Sequence, residues 1–313
     1  MTATKELNVV CLAGGVGGAK MAAGLAAIVP AEKLTIIGNT GDDFTHFGLQ
    51  ICPDLDTLMY TLAGVANSDT GWGRAGESWR VMESVQAVGG PDWFNLGDLD
   101  LGIHLTRTHL LHDGQSLTAV TAQLCERLGV KPRLLPMSNK PAPTLIETAE
   151  GVMGFQEWFV QNRWQPAVQQ VQLPDEARAT GAAIQALEQA DVVVIAPSNP
   201  FVSIDPILNA YPLRAVLQDM PQVVVAVSPI IGGEAVKGPA AKLMAQFGLD
   251  VSAAGVAAYY DDLIDGFVCE AADAAAIQNE DLPVLGTQTF MKSPADRERL
   301  AREVLDFAAK LIE

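Results

Sequence analysis

Short apolar runs alternate with amphipathic stretches along the chain. Asn8–Ala13 is an apolar run that ends in glycines, and Val16–Val29, rich in Ala, Leu and Met, reads as a helix stopped by Pro30. Leu34–Gly38 is a second run, closed by the turn-like Asn-Thr-Gly-Asp-Asp. Short apolar runs bounded by turn residues suit strands buried on both faces, and their alternation with helices predicts an α/β fold around a parallel sheet. Val192–Ala196 and Val223–Val227 repeat the pattern, followed by A-P-S-N-P and V-S-P-I-I-G-G. In open parallel sheets ligands bind beyond such strand C-termini.

The middle of the chain has a different period. Glu77–Val88, Leu96–Leu111 and Ser116–Leu128 carry helical spacing with no buried-strand run between them. Residues 68–129 are therefore expected to form a mostly helical insertion or cap within one large domain. Leu134–Gln172 reads as extended segments with a short helix around Phe155–Val160, and Pro294–Ile312 as a closing amphipathic helix.

Charge narrows the partners. Lys and Arg number 20 against 37 Asp and Glu, a net charge of −17. Such a chain repels a nucleic-acid backbone, and any phosphorylated ligand needs local cations or a metal ion to offset the field. The four cysteines lie far apart with no C-x-x-C pair, which excludes a disulfide framework or zinc finger and fits a reducing cytoplasm. No signal-peptide run or membrane span of about 18 apolar residues is expected.

Two segments carry the candidate chemistry. Ala13–Lys20 is a glycine loop between a strand and a helix, a setting for phosphate binding at a helix N-terminus, with Lys20 as an added cation. It lacks the G-K-[ST] of a Walker loop. The acid that would grip an NAD ribose about 20 residues on is also missing at Gly38–Asn39. The second segment joins N-T-G-D-D (Asn39–Asp43) to P-D-L-D-T (Pro53–Thr57), four carboxylates in loop-like sequence before a helix read at Leu58–Val65. Helix capping and turn chemistry alone would explain Asp42 or Asp54. Two such clusters of oxygen ligands, with no flanking His or Cys pair, point to Mg²⁺ or Mn²⁺ over zinc. Asp56 is read as a loop carboxylate near solvent, so that Asp56→Asn should leave the fold intact.

G-W-G-R (Gly71–Arg74), Trp79 with Arg80, and L-G-D-L-D (Leu96–Asp100) follow. Tryptophan beside arginine can stack on a flat ring and pair an anion, although burial in the cap explains Trp72 and Trp79 equally well. His109 and His112, three apart on a helix, lack a third metal ligand and are read as structural; His46 could line a pocket.

At these residues the chain resembles the 2-phospho-L-lactate transferase family (CofD or FbiA type) of coenzyme F-420 biosynthesis. The matching runs include GGVGGAK, NTGDD, ICPDLDTLMYTLAG, GWGR, LGDLDL, LLPMSN, FQEWFV, APSNPFVSIDPIL and SPIIGGEAVKGPAAKLM, in family order. The resemblance implies a Rossmann-like core, a homodimer and Mg²⁺ or Mn²⁺. It also implies transfer of a phosphorylated three-carbon acid from its guanosine diphosphate ester to the deazaflavin Fo, with release of GMP. On that resemblance Asp56 contacts the deazaflavin and is the first candidate for the base, with Asp43 second. Asp43 and Asp56 are the metal ligands. The nucleotide falls to Gly14, Gly15, Gly17, Gly18, Lys20, Ser198, Asn199, Pro200, Lys237 and Gly238. Asn95, Trp72 and Arg74 join the deazaflavin and phosphate side.

Departures from the family pattern bear on the acid. Asn95 stands where Lys is frequent, Leu99 where Arg is, Asn139 replaces an Asp and Asp205 a Gly. Neutral residues at 95, 99 and 139 are expected to broaden acid use among phospholactate, phosphoenolpyruvate and 3-phosphoglycerate. Two other readings remain: a non-catalytic nucleotide-sugar-binding regulator related to gluconeogenesis factor, and an NAD-dependent oxidoreductase, weakened by the missing ribose acid.

Overall fold

A computed structural model describes residues 7–67, 69–277 and 281–312; Ser68, the expected start of the helical insertion, lies outside the described residues. The central sheet has seven strands: β1 (Val9–Ala13), β2 (Leu34–Gly38), β3 (Arg133–Pro136), β4 (Val192–Ile195), β5 (Val223–Val227), β6 (Gly266–Glu270) and β7 (Val284–Thr287). All neighbours are parallel, in the spatial order β7-β6-β5-β4-β1-β2-β3. This is the α/β, Rossmann-like core. The order reverses between β1 and β4, the switch point beyond whose strand ends ligands bind.

Every residue of β1, β4 and β5 is buried, which explains their unbroken apolar runs. Successive side chains go to opposite faces. Val10, Leu12, Val193 and Ile195 join one apolar cluster, while Val9, Cys11, Val192 and Val194 join the other.

Helices α1 (Gly15–Ile28), α2 (Pro53–Leu62), α3 (Arg80–Ala87), α4 (Asp98–His112) and α5 (Leu117–Leu128) all precede β3 in the chain. Met21 of α1, Leu58 of α2, Val120 of α5 and Val304 of the C-terminal helix Pro294–Ile312 are buried in the second cluster, so these four helices share one face of the sheet. Gly24 lets α1 meet the C-terminal helix closely: a Cβ there would lie 2.2 Å from the Arg297 carbonyl oxygen. Helix α2 begins at Pro53, not at Leu58. Proline suits a first helical position because its missing N–H would be unbonded there anyway, so P-D-L-D-T is a helical first turn and not a loop.

On the opposite face of the sheet the Tyr259 hydroxyl donates to Asp205. Burial pushes the Asp205 carboxyl up to about 6, against the pull of Tyr259 and Arg214. An acid raised in the folded state holds its proton there while the unfolded chain, titrating near 4, releases it. This contribution to stability is therefore lost as pH rises from about 4 to about 6. Asp205→Asn is expected to gain stability over the parent between those pH values, read as urea midpoints at both ends. An unchanged difference between the two midpoints would remove the carboxyl from this role.

Candidate active site

A cleft of ≈ 600 Å³ opens beyond the strand ends at the switch point, a size suited to a small-molecule ligand. Gly14–Gly17 enter it after β1, Asp42 after β2, Pro197–Asn199 after β4, and Ser228 and Pro229 after β5. Gly14, Gly15, Gly17, Lys20, Asp56, Trp72, Asn95, Ser198, Asn199, Lys237 and Gly238 all line it. Gly18, Asp43, Arg74, Pro200 and Trp79 are not among the lining residues. Gly18 packs beneath, where a Cβ would lie 2.6 Å from Ser198 Oγ. The Arg74 guanidinium sits 5.8 Å from the Tyr60 ring centre, and Pro200 opens a buried π-helical turn, Pro200–Ile204.

The glycine loop is tied internally. The Gly15 N–H donates to Asp54 Oδ1 at 2.7 Å, so the protein's own carboxylate already sits at the start of α1. The Gly14 N–H donates to Ser198 Oγ (3.2 Å), whose hydroxyl donates back to the Gly14 carbonyl (2.8 Å). The loop's small residues thus serve close packing against the segment after β4. The cations are less committed. Lys20 Nζ donates to the Met291 carbonyl at 3.0 Å and Lys237 Nζ to the Thr70 carbonyl at 2.7 Å. Burial, then the nearby Arg297 and Lys237 charges, push the Lys20 ammonium down, and burial does the same to Lys237. Neutral carbonyls and like charges around two lysines make a site that gains from an arriving anion.

Asn39 at the end of β2 ties the floor together. It is fully buried, and its amide donates to Asp42 Oδ1 (3.0 Å), Asp54 Oδ2 (2.9 Å) and the Val202 carbonyl (3.1 Å). Burial is the largest cause that raises Asp42, Asp43 and Asp54, with Asp54 reaching about 6. Asp43 Oδ1 is buried without a hydrogen-bond partner among the described residues. An oxygen-rich pocket with this excess of carboxylate fits a hard divalent cation.

Asp56 is not a solvent-facing loop acid. It is 4 % exposed, in the first turn of α2, and both its oxygens are held by the Arg107 fork, Nη1 at 3.0 Å and Nη2 closer. Arg107 is 2 % exposed and also reaches His104 Nδ1 at 3.2 Å. His104 Nε2 lies 3.3 Å from Asp100 Oδ2, and the Tyr60 hydroxyl donates to Asp100 Oδ1. Burial pushes Asp100 up, but His104, Tyr60 and Arg107 outweigh it and hold the carboxyl below the usual range. Asp56, Asp100 and His104 are the three metal-type donors that come within 4.8 Å of one another among the described residues; Asp43 is not in that group. Sequence reasoning gave no role to Asp100, His104 or Arg107, although their spacing of four and three places them on one helical face.

The flat-ring side also differs from expectation. Trp93 and Phe94 line the cleft beside Trp72, and Trp79 only touches Trp72, ring centres 6.5 Å apart. His46 is buried against Phe47, Trp93 and Phe94 rather than lining the cleft. The exposed His109 pairs with Asp113. Of the three neutral residues tied to acid choice, only Asn95 faces the cleft. Asn139 Oδ1 accepts from the Thr118 N–H and hydroxyl at the start of α5, and Leu99 is largely exposed. Two acids exchange helix ends: Glu77 accepts from the Leu99 and Asp100 N–H groups of α4, and Asp98 accepts from the Arg80 and Val81 N–H groups of α3. That clasp fixes where Asp100 stands.

Comparison with known proteins identifies the family. The family model described as 2-phospho-L-lactate transferase CofD matches residues 9–307. A phosphoenolpyruvate transferase of Kitasatospora aureofaciens is 41% identical, over 94% of this chain and 97% of that protein. A 2-phospho-L-lactate transferase of Methanospirillum hungatei is 39% identical, over 94% and 98%. A solved structure from Bacillus halodurans, a member of the UPF0052 family, shares the fold with a TM-score of 0.61 at 15% identity, covering 96% of this chain and 99% of its own. No helix among the described residues is long and apolar enough to cross a membrane. By the near-complete family match and by relatives of this identity, the chain belongs to the 2-phospho-L-lactate transferase CofD family.

Proposed function

We propose that the protein transfers a phosphorylated three-carbon acid from its guanosine diphosphate ester to the ribityl hydroxyl of the deazaflavin Fo, releasing GMP, in coenzyme F-420 biosynthesis. One observation carries this beyond family membership: a single cleft joins two lysines that donate to neutral carbonyls among the described residues to an aromatic wall, with carboxylates beside them. Lys20 and Lys237 would balance the diphosphate, with Ser198, Asn199 and Gly238 shaping the nucleotide side. Trp72, Trp93 and Phe94 would hold the flat ring. The hydroxyl oxygen bonds to phosphorus as the bond to the GMP oxygen breaks, a reaction driven mainly by positioning and charge neutralisation. Mg²⁺ or Mn²⁺ would supply Lewis-acid stabilisation of the diphosphate when bound. Of the two ligands expected for it, Asp56 is paired with Arg107 and Asp43 lies outside the cleft lining, so the cleft carboxylates Asp42 and Asp54 are the donors that would hold it. Phosphoenolpyruvate and phospholactate, the acids in the relatives' names, are the first candidates, and 3-phosphoglycerate the third. A homodimer belongs to the same reading and is checked by light scattering.

Purified protein with Fo, Mg²⁺ and the three guanylylated acids at equal concentration is expected to yield an Fo adduct, identified by mass. GDP with Mg²⁺ should raise the melting temperature, since a ligand at 100 times its dissociation constant stabilises by about 2.7 kcal/mol, and NADH should not. A larger shift with NADH would favour the oxidoreductase, and nucleotide-sugar binding without any Fo adduct the regulator.

A further inference from the structure

We propose that Asp100 is the carboxylate that meets the acceptor hydroxyl and takes its proton, with Asp56 a charge-paired group behind it. The inference rests on the transferase reading above. Both Asp56 oxygens are engaged by the Arg107 fork. His104 Nδ1 is engaged by Arg107, its Nε2 stands 3.3 Å from Asp100 Oδ2, and its side chain is 2 % exposed. All three line the cleft, and Asp100 is the most accessible of them: its side chain is 13 % exposed against 6 % for Asp56 and 2 % for His104. Among the described residues the Tyr60 hydroxyl donates to Asp100 Oδ1 and His104 Nε2 stands 3.3 Å from Oδ2, and a carboxylate oxygen can accept a second hydrogen bond.

The local structure prepares Asp100 for this contact. Glu77 Oε1 accepts from its backbone N–H at 2.9 Å, while Tyr60 and His104 fix the carboxylate plane. Trp93, Phe94 and Asn95 of the same approach to α4 line the cleft with it. A ring held by that aromatic wall would carry its side chain toward Asp100. Of the two acids in L-G-D-L-D, Asp98 is used up as a cap and Asp100 is presented. In the step, the hydroxyl oxygen forms its bond to phosphorus and the phosphorus–oxygen bond to GMP breaks. GMP keeps that electron pair, and the hydroxyl proton passes to Asp100. An aspartate that accepts the proton of an attacking hydroxyl is an established device for phosphoryl transfer.

The test is Asp100→Asn, assayed with Fo and the guanylylated acid, alongside the GDP-induced melting shift. The expected result is a turnover loss of at least about 100-fold with Fo KM within roughly threefold of the parent and the GDP shift retained. Turnover near the parental value overturns the proposal. Recovery of Asp100→Asn at high Mn²⁺ also overturns it, by making Asp100 a metal ligand. Should Asp100→Asn not fold, Asp100→Glu decides: about a tenfold loss is expected from the displaced carboxylate, and parental turnover refutes the role. A parent protein that forms no Fo adduct removes the transferase reading and this inference with it, whereas an active parent with an active Asp100→Asn removes the inference alone.

Discussion

Arg107→Met is expected to lower the melting temperature by roughly 6–20 °C. Removing one partner of a buried ion pair leaves the other charge uncompensated, at a cost of about 3–5 kcal/mol, and each kcal/mol moves the transition of a chain this size by about 2–4 °C. Here the stranded group is Asp56, 4 % exposed and near Asp43, whose carboxyl burial already raises. Asp56→Asn should destabilise similarly, because it strands the guanidinium, and this reverses the expectation that the fold would tolerate it. The double variant should regain part of the loss, since no lone charge remains. Thermal unfolding followed by circular dichroism checks all three; single variants that melt with the parent would show that solvent reaches the pair.

Gly17→Ala is expected to cut turnover by about 100-fold. An added Cβ would lie 2.3 Å from the Pro197 carbonyl oxygen, so the segment after β4 must move by roughly 1 Å, a misplacement of the size that costs about two decades in rate. Neither side can yield through a side-chain rotation: the contact is to backbone, and α1 is packed on the C-terminal helix. Stability should fall by about 1–3 kcal/mol, as for other overpacked sites. Steady-state kinetics and the GDP-induced melting shift are the measurements. A variant with parental turnover would place Ser198 and Asn199 outside the reaction.

Four of the seven strands were legible because they are buried on both faces, while β6 and β7 went unread. Such strands print as continuous apolar runs, and β1, β2, β4 and β5 fall where those runs do. The start of α2 was missed because Pro53 reads as a breaker, whereas at a first helical position it begins the helix. The Asp56 environment was illegible for a different reason. Arg107 lies 51 residues away, and only the fold brings α4 over α2. Asp100, His104 and Arg107 did leave a trace, one polar face on an otherwise mixed helix, but exposed helices show the same pattern. Trp93 and Phe94 are adjacent in a loop, with no period to mark which cavity they would reach. Asn139 shows the opposite error: a motif position suggested a pocket role, and the structure uses the side chain to start α5.

The central place of β1 has a consequence for how the chain is made. Its neighbours are β2 and β4, and β4 begins at Val192, while the face of α1 is closed by a helix that starts at Pro294. At about 5–20 residues per second, roughly 15–60 s separate synthesis of α1 from synthesis of the helix that covers it. During that interval the apolar side of α1, with Met21, Ala22 and Leu25, has α2 and the first strands against it but lacks the C-terminal helix. Closure of this face of the sheet must therefore wait for the Pro294–Ile312 helix, so this part of the fold is expected to form late, after the first strands and α2 have met.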